Sequence, residues 1–95
     1  MDFPPRYKDP AETAQWTASW DTLLPATDSV LTVTVAVEPP NDGLTVISAQ
    51  VISDMETSVL VKGGTLGQTY HLVWTVTSTA GQVRVRRGPV IVEPQ

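Results

Sequence analysis

The sequence predicts an all-β domain: an immunoglobulin-like β-sandwich of six or seven antiparallel strands behind an extended N-terminal arm. Three observations carry this expectation. Val and Thr crowd the chain from Val30 onward, while the helix formers Ala, Leu, Glu and Lys never recur at helical spacing. Apolar and polar residues alternate in short runs, and each run stops at a cluster of Gly, Pro, Asn or Asp. The chain has 95 residues, enough for one core and one domain. A small closed barrel competes for the same pattern.

Residues 1–10 read as the arm, because Pro4, Pro5 and Pro10 stand among charges there. The single β-sandwich domain is then residues 11–95. Asp9-Pro10-Ala11-Glu12 has the form of an N-cap, a proline at the first helical position and a carboxylate reaching back, which predicts one short helical turn. In "TAQWTASW" the residues Ala14, Trp16, Ala18 and Trp20 share one side, as a strand requires. Residues 30–37 place Leu31, Val33, Val35 and Val37 on one face and Val30, Thr32, Thr34 and Ala36 on the other. "EPPNDG" ends that strand, since paired prolines cannot continue a ladder.

Residues 44–53 form a third strand or two short pieces, with no clean apolar parity and an open register. "TSVLVK" is a short strand, and Gly63, Gly64 and Gly67 behind it suit a tight loop at positive φ. In the next strand Tyr70, Leu72, Trp74 and Val76 alternate with His71, Val73, Thr75 and Thr77, which places it near a sheet centre. The final stretch moves its apolar parity from Val83 and Val85 to Val90 and Val92 across Gly88-Pro89, so a bulge or a switch of sheets is expected there. Parity assigns Trp20, Tyr70 and Trp74 to the core as anchors. Arg84 and Arg86 then form the solvent face of an edge strand, with an acidic neighbour as their functional use. Phe3 and Tyr7 are the rings least needed for folding, so they are the first expected to touch a partner. On this reading, removing the arm costs little stability.

Little in the chain suits catalysis or metal binding. Six basic against ten acidic residues give a net charge of −4 and a pI near 4.6, which disfavours nucleic acid and anionic membranes as partners. No apolar run approaches a spanning helix or a secretory leader, so a soluble product is expected. One histidine, His71, and no cysteine leave a zinc site or a nucleophilic triad without its groups. Turn chemistry accounts for Asp28, Asp42, Asp54 and Glu56, and their spacing is not that of an EF-hand. "GGTLG" lacks the Lys-Ser/Thr pair and the following helix of a phosphate loop. No enzyme activity, cofactor or metal is expected. The aromatic residues keep one binding alternative open, a surface carbohydrate-binding module with a row of exposed rings.

"KDPAETAQWTASW", "GLTV" and "SVLVKGGTLGQTYHLVWTVTSTAGQ", with an arginine-bearing last strand, resemble the phage fibre–tail adaptor proteins, small virion proteins of tailed phages. Lys8, Asp9, Pro10, Trp20, Gly63, Gly64, Thr65, Gly67, Tyr70 and Gly81 carry the resemblance, which spans roughly residues 8 to 92. Gln82 stands where the family pattern has arginine. The resemblance implies a non-enzymatic structural protein made in the host cytoplasm and placed in the virion. It implies an adaptor joining a tail fibre or accessory protein to the tail or neck in symmetric copies. Its partners would be other virion proteins, and a capsid decoration protein is the alternative role.

Overall fold

The computed structural model describes residues 3–25, 27–38 and 43–95. Seven strands follow in order: β1 (Arg6–Lys8), β2 (Thr13–Ser19), β3 (Val30–Glu38), β4 (Leu44–Ser53), β5 (Glu56–Gly63), β6 (Thr69–Ser78) and β7 (Val83–Val92). They build two sheets, β1-β7-β6-β3 and β2-β5-β4, packed as a sandwich. The strands β2, β5, β4 and β3, β6, β7 occupy the places of strands B, E, D and C, F, G of an immunoglobulin constant domain. The first strand departs from that scheme: β1 lies beside β7 and runs parallel to it, the one parallel pairing in the described sandwich.

Alternation fixes the core. Ala18 and Trp20 from β2 and its end, Val59 and Val61 from β5, and Tyr70, Leu72, Trp74 and Val76 from β6 are all buried between the sheets. Trp20, Tyr70 and Trp74 are each 0% exposed. The indole Nε1 of Trp20 donates to Thr57 Oγ1 at 2.9 Å, so its polar atom is satisfied inside the core. β6 lies between β7 and β3, where the densest alternation in the sequence places it.

Tyr70 also reproduces an immunoglobulin device. It stands at the start of β6, and the Thr65 amide in the preceding loop donates to its hydroxyl at 2.9 Å, the geometry of a tyrosine corner. The loop needs its glycines: Gly64 has φ +105°, and a Cβ there would meet Val92 Cγ2 at 2.8 Å. Tyr70→Phe is expected to cost about 1 kcal/mol, which lowers Tm by roughly 4–8 °C in a domain of this size. A thermal melt followed by circular dichroism measures it, and an unchanged Tm would show that the corner bond adds no net stability.

Bulges explain where parity was lost. Register shifts fall between Val46 and Ser48 and between Val51 and Ser53, leaving Ile47 and Ile52 without partners in the β4–β5 ladder and 48% and 47% exposed. β4 is therefore one strand with two bulges. A third shift at Leu31 turns that side chain out, so Val30 is buried while Leu31 is not. Glu56, expected in a turn, opens β5. The turn expected at residues 39–42, including Asp42, falls outside the described residues.

Three expectations are corrected. First, Asp9 to Glu12 close a capping box, with Glu12 Oε1 accepting from the Asp9 amide and Asp9 Oδ1 from the Ala11 amide, both at 2.8 Å, but only a turn follows. β2 begins at once, and the box ends the arm. The bonds from Ala11 and Gln95 hold the Asp9 carboxyl below its ordinary range. Second, β7 pairs with β6 without interruption from Val83 to Ile91. There is no bulge at Gly88-Pro89. Its inward positions are Arg84, Arg86, Gly88, Val90 and Val92, so Val83 and Val85 point outward and are 54% and 39% exposed. The arginines are thus on the side opposite to the one expected.

The third correction concerns the arm, which is part of the sandwich. Arg6, Tyr7 and Lys8 pair with Val90, Ile91 and Val92, and the Phe3 amide donates to the Arg87 carbonyl at 2.9 Å. Lys8 is 0% exposed, its Nζ donating to the carbonyls of Gly63 and Asp9 at 2.7 and 2.8 Å. Burial draws its ammonium below the ordinary lysine range, opposed by the attraction of Glu12 and Asp9.

Candidate functional site

Of the expected partner-binding residues, Phe3, Arg84 and Arg86 lie along one flank, where β1 and β7 of the four-stranded sheet meet the β2 side of the other. Phe3 enters the gap between the sheets. Its ring stands edge-on to Trp20 at 5.5 Å and to Trp74 at 5.8 Å. Such pairs are each worth about 0.5–1.5 kcal/mol beyond area burial. Phe3 is therefore a wedge in the core margin, contrary to the expectation that folding does without it. The Arg6 guanidinium lies 5.7–5.9 Å from the ring centres of Phe3, Trp16 and Trp74, and its Nη2 donates to the Thr17 carbonyl at 3.0 Å. Desolvation in this aromatic setting lowers its pKa.

Arg84 and Arg86 fold over the edge of β7. Arg84 Nη1 reaches the Val83 carbonyl at 3.3 Å, Nε the Leu23 carbonyl at 3.4 Å, and Nη2 the Gln82 side chain at 2.7 Å. Arg86 Nη1 reaches the Val85 carbonyl at 2.6 Å. Neither meets a carboxylate among the described residues, where the ion pair is Arg87 with Glu38 at 3.4 Å. Their stems lie along the sheet margin while the heads satisfy backbone carbonyls, which is how a long cation occupies an inward position.

Tyr7 lies on a different surface. It is 54% exposed and pairs with Ile91, which pairs with Thr69, so the three form a row across the outer face of the four-stranded sheet. The rows beside it read Pro89-His71-Glu38, Arg87-Val73-Ala36, Val85-Thr75-Thr34 and Val83-Thr77-Thr32. Two charges stand on that face, and they pair with each other. The outer face of the three-stranded sheet is unlike it. Its paired rows are Thr13-Lys62-Thr45, Gln15-Leu60-Ser48, Thr17-Ser58-Gln50 and Ser19-Glu56-Ser53, polar except for Leu60, and the bulge residues Ile47 and Ile52 are the exposed apolar side chains beside them. A sheet that faces water on one side ordinarily carries polar residues there. The three-stranded sheet obeys that rule in its paired rows, with apolar exposure confined to the β4 bulges, and the four-stranded sheet presents Val, Ala, Ile, Pro and Thr in the rows themselves. Sequence reading missed this surface because it assigned Val83 and Val85 to the core.

Among the aromatic rings only Tyr7 is mostly exposed; Trp20, Tyr70 and Trp74 are fully buried and Phe3 and Trp16 partly so. The described residues therefore offer no row of rings for a sugar. Asp28 is tied into the fold: its Oδ1 accepts from the Ser29 amide, the Thr79 hydroxyl and the Ala80 amide at 2.8, 2.9 and 3.1 Å. Hydrogen bonding from the Ser78 side chain, with these groups, holds its carboxyl at about 2. It joins the start of β3 to the β6–β7 turn.

The family model of the podophage GP4 fiber-tail adaptor protein gp77 matches residues 8–90. The chain belongs to that family. It is a phage structural protein of the fibre–tail adaptor type, and its place is the virion. No curated protein matches the chain. Within this adaptor family the matched span begins at Lys8, the buried lysine that ends β1, and includes Tyr70, Arg84 and Arg86. Phe3 and Tyr7 precede it.

Proposed function

We propose that this chain joins a fibre or accessory protein to the tail or neck of a tailed phage, in several symmetric copies and without catalysing a reaction. The observation that carries the reading is the contrast between the two outer faces. A domain working alone in water has no use for a four-stranded sheet whose outer rows are apolar and threonine-rich, whereas an adaptor needs a flat surface that a neighbouring virion protein covers. Tyr7 extends that surface onto β1, and Arg84 and Arg86 stand at its rim, where they meet acidic groups of the neighbour. Phe3 acts indirectly, by pinning the arm that carries Tyr7. Repetition of the contact around a symmetric assembly multiplies weak interfaces into a stable joint.

The double variant Val83→Asp with Val85→Asp tests the reading, because both side chains are exposed and their loss leaves the core intact. Its circular dichroism and Tm are expected to stay close to those of the parent. Its incorporation into particles from a phage lacking the wild-type gene is expected to fall at least tenfold. Full incorporation of a folded variant would remove the outer face from the joint.

A further inference from the structure

Each flank of a sandwich ends in strands with one unpaired side, and such edges invite unwanted pairing unless they are obstructed. In this chain most edges carry an obstruction. β1 is three residues long and preceded by Pro4 and Pro5. Beyond the arm, the edge of β7 has its Val83 and Val85 carbonyls taken by Arg84 and Arg86. β2 has its Thr17 carbonyl taken by Arg6. β4 is interrupted by bulges at Ile47 and Ile52.

β3 lacks such a device over most of its length. After the bulge at Leu31 its register with β6 runs unbroken from Thr32 to Glu38, and residues 30–37 contain neither a charge nor a proline. Among the described residues no strand pairs with its other side. A groove of about 520 Å³ runs beside it, between Val35 to Val37 and the first residues of β4, Leu44 to Val46. A backbone edge next to a side-chain groove is what strand addition uses: main-chain bonds supply affinity, and alternate side chains enter the groove.

We propose that the free edge of β3, over residues 32–38, takes up an extended segment of a virion partner as an added strand, with apolar side chains at alternate positions filling the groove toward Leu44 and Val46. The inference rests on the adaptor reading and supplies that adaptor with a second contact, separate from the outer face. Charge selects the occupant. The edge is uncharged from Thr32 to Val37 and ends on Glu38, and the chain carries −4, so a neutral or basic segment is favoured. A second copy brings another −4, and its own Val33, Val35 and Val37 remain with its own core, leaving the groove unfilled.

Amide hydrogen exchange at residue resolution tests this on the full chain, alone and bound to particles from a phage lacking the gene. Strand addition is expected to slow every second amide of residues 32–38 at least tenfold in the bound state. Binding with unchanged exchange at β3 would overturn the added strand while leaving the adaptor reading in place. Slowing that appears in the protein alone and grows with its concentration would make a second copy the occupant and also overturn it. Absence of any binding to the particles would overturn the adaptor reading and this inference together.

Discussion

Replacing Trp20 with alanine is expected to leave the domain close to unfolded at 25 °C. The ring is 0% exposed, its Nε1 donates to the buried Thr57 hydroxyl, and Phe3 packs edge-on against it. Removing a buried aromatic costs about 3–5 kcal/mol through lost transfer energy and the cavity left behind. Thr57 then loses its partner inside the core, adding about 1–3 kcal/mol. A domain of this size holds roughly 5–14 kcal/mol in total. Urea unfolding monitored by far-UV circular dichroism gives the difference directly. Trp20→Phe, which keeps a ring and loses the hydrogen bond, should fall between the two. A Trp20→Ala protein within 1 kcal/mol of the parent, on the scale of a single net hydrogen bond, would contradict the packing described for this ring.

Removing residues 1–8 is the second large effect, and the structure reverses the sequence-based expectation for it. A chain beginning at Asp9 loses the three β1 pairings with β7, the Phe3 wedge against Trp20 and Trp74, the Arg6 guanidinium over three rings, and the buried Lys8 with its two carbonyl contacts. The margins of two core tryptophans are uncovered at once. Phe3 is only partly buried, so its share lies below that of a full core ring, and the sum is on the order of 4–6 kcal/mol. At roughly 4–8 °C per kcal/mol the truncated domain melts at least about 15 °C lower or fails to fold. Phe3→Ala in the full chain isolates the wedge and should account for about half of the loss. If the truncated protein melted within a few degrees of the parent, the arm would be an accessory and the expectation from sequence would stand.

Local pattern reported local structure well. In β2 and β6 the alternating set Ala14, Trp16, Ala18 and Tyr70, Leu72, Trp74, Val76 faces the core and the set between, Val73 included, faces out, because period-two alternation is a property of the strand itself. The glycines at 63, 64 and 67 take positive φ, 78°, 105° and 84°, since few other residues tolerate that geometry. The burial of Trp20, Tyr70 and Trp74 could be read from the same parity. The adaptor family was legible too, from the residues around Lys8 and the Gly63 loop, and the family match covers them.

The features that were not legible depend on a neighbour. Whether Ile47, Ile52 or Leu31 drops out of a ladder is decided by the strand opposite, and nothing in "LTVISAQVIS" marks its bulges. The phase of β7 is another such case. "VRVRR" alternates equally well either way round, and hydrophobicity alone favours Val83 and Val85 inside. The unbroken ladder with β6 imposes the phase of Val90 and Val92 on the whole strand, which puts Arg84 and Arg86 inward and the valines on the outer face. Phe3 meets Trp20 and Trp74 only because β1 pairs in parallel with β7, near the other end of the chain. By itself, then, the sequence determined the strand class, the turns, the core aromatics and the family. The tertiary structure decided which face of β7 is outside, that the arm belongs to the sandwich, and which edge remains unobstructed, because each of these is set by the pairing of distant segments, which local alternation does not encode.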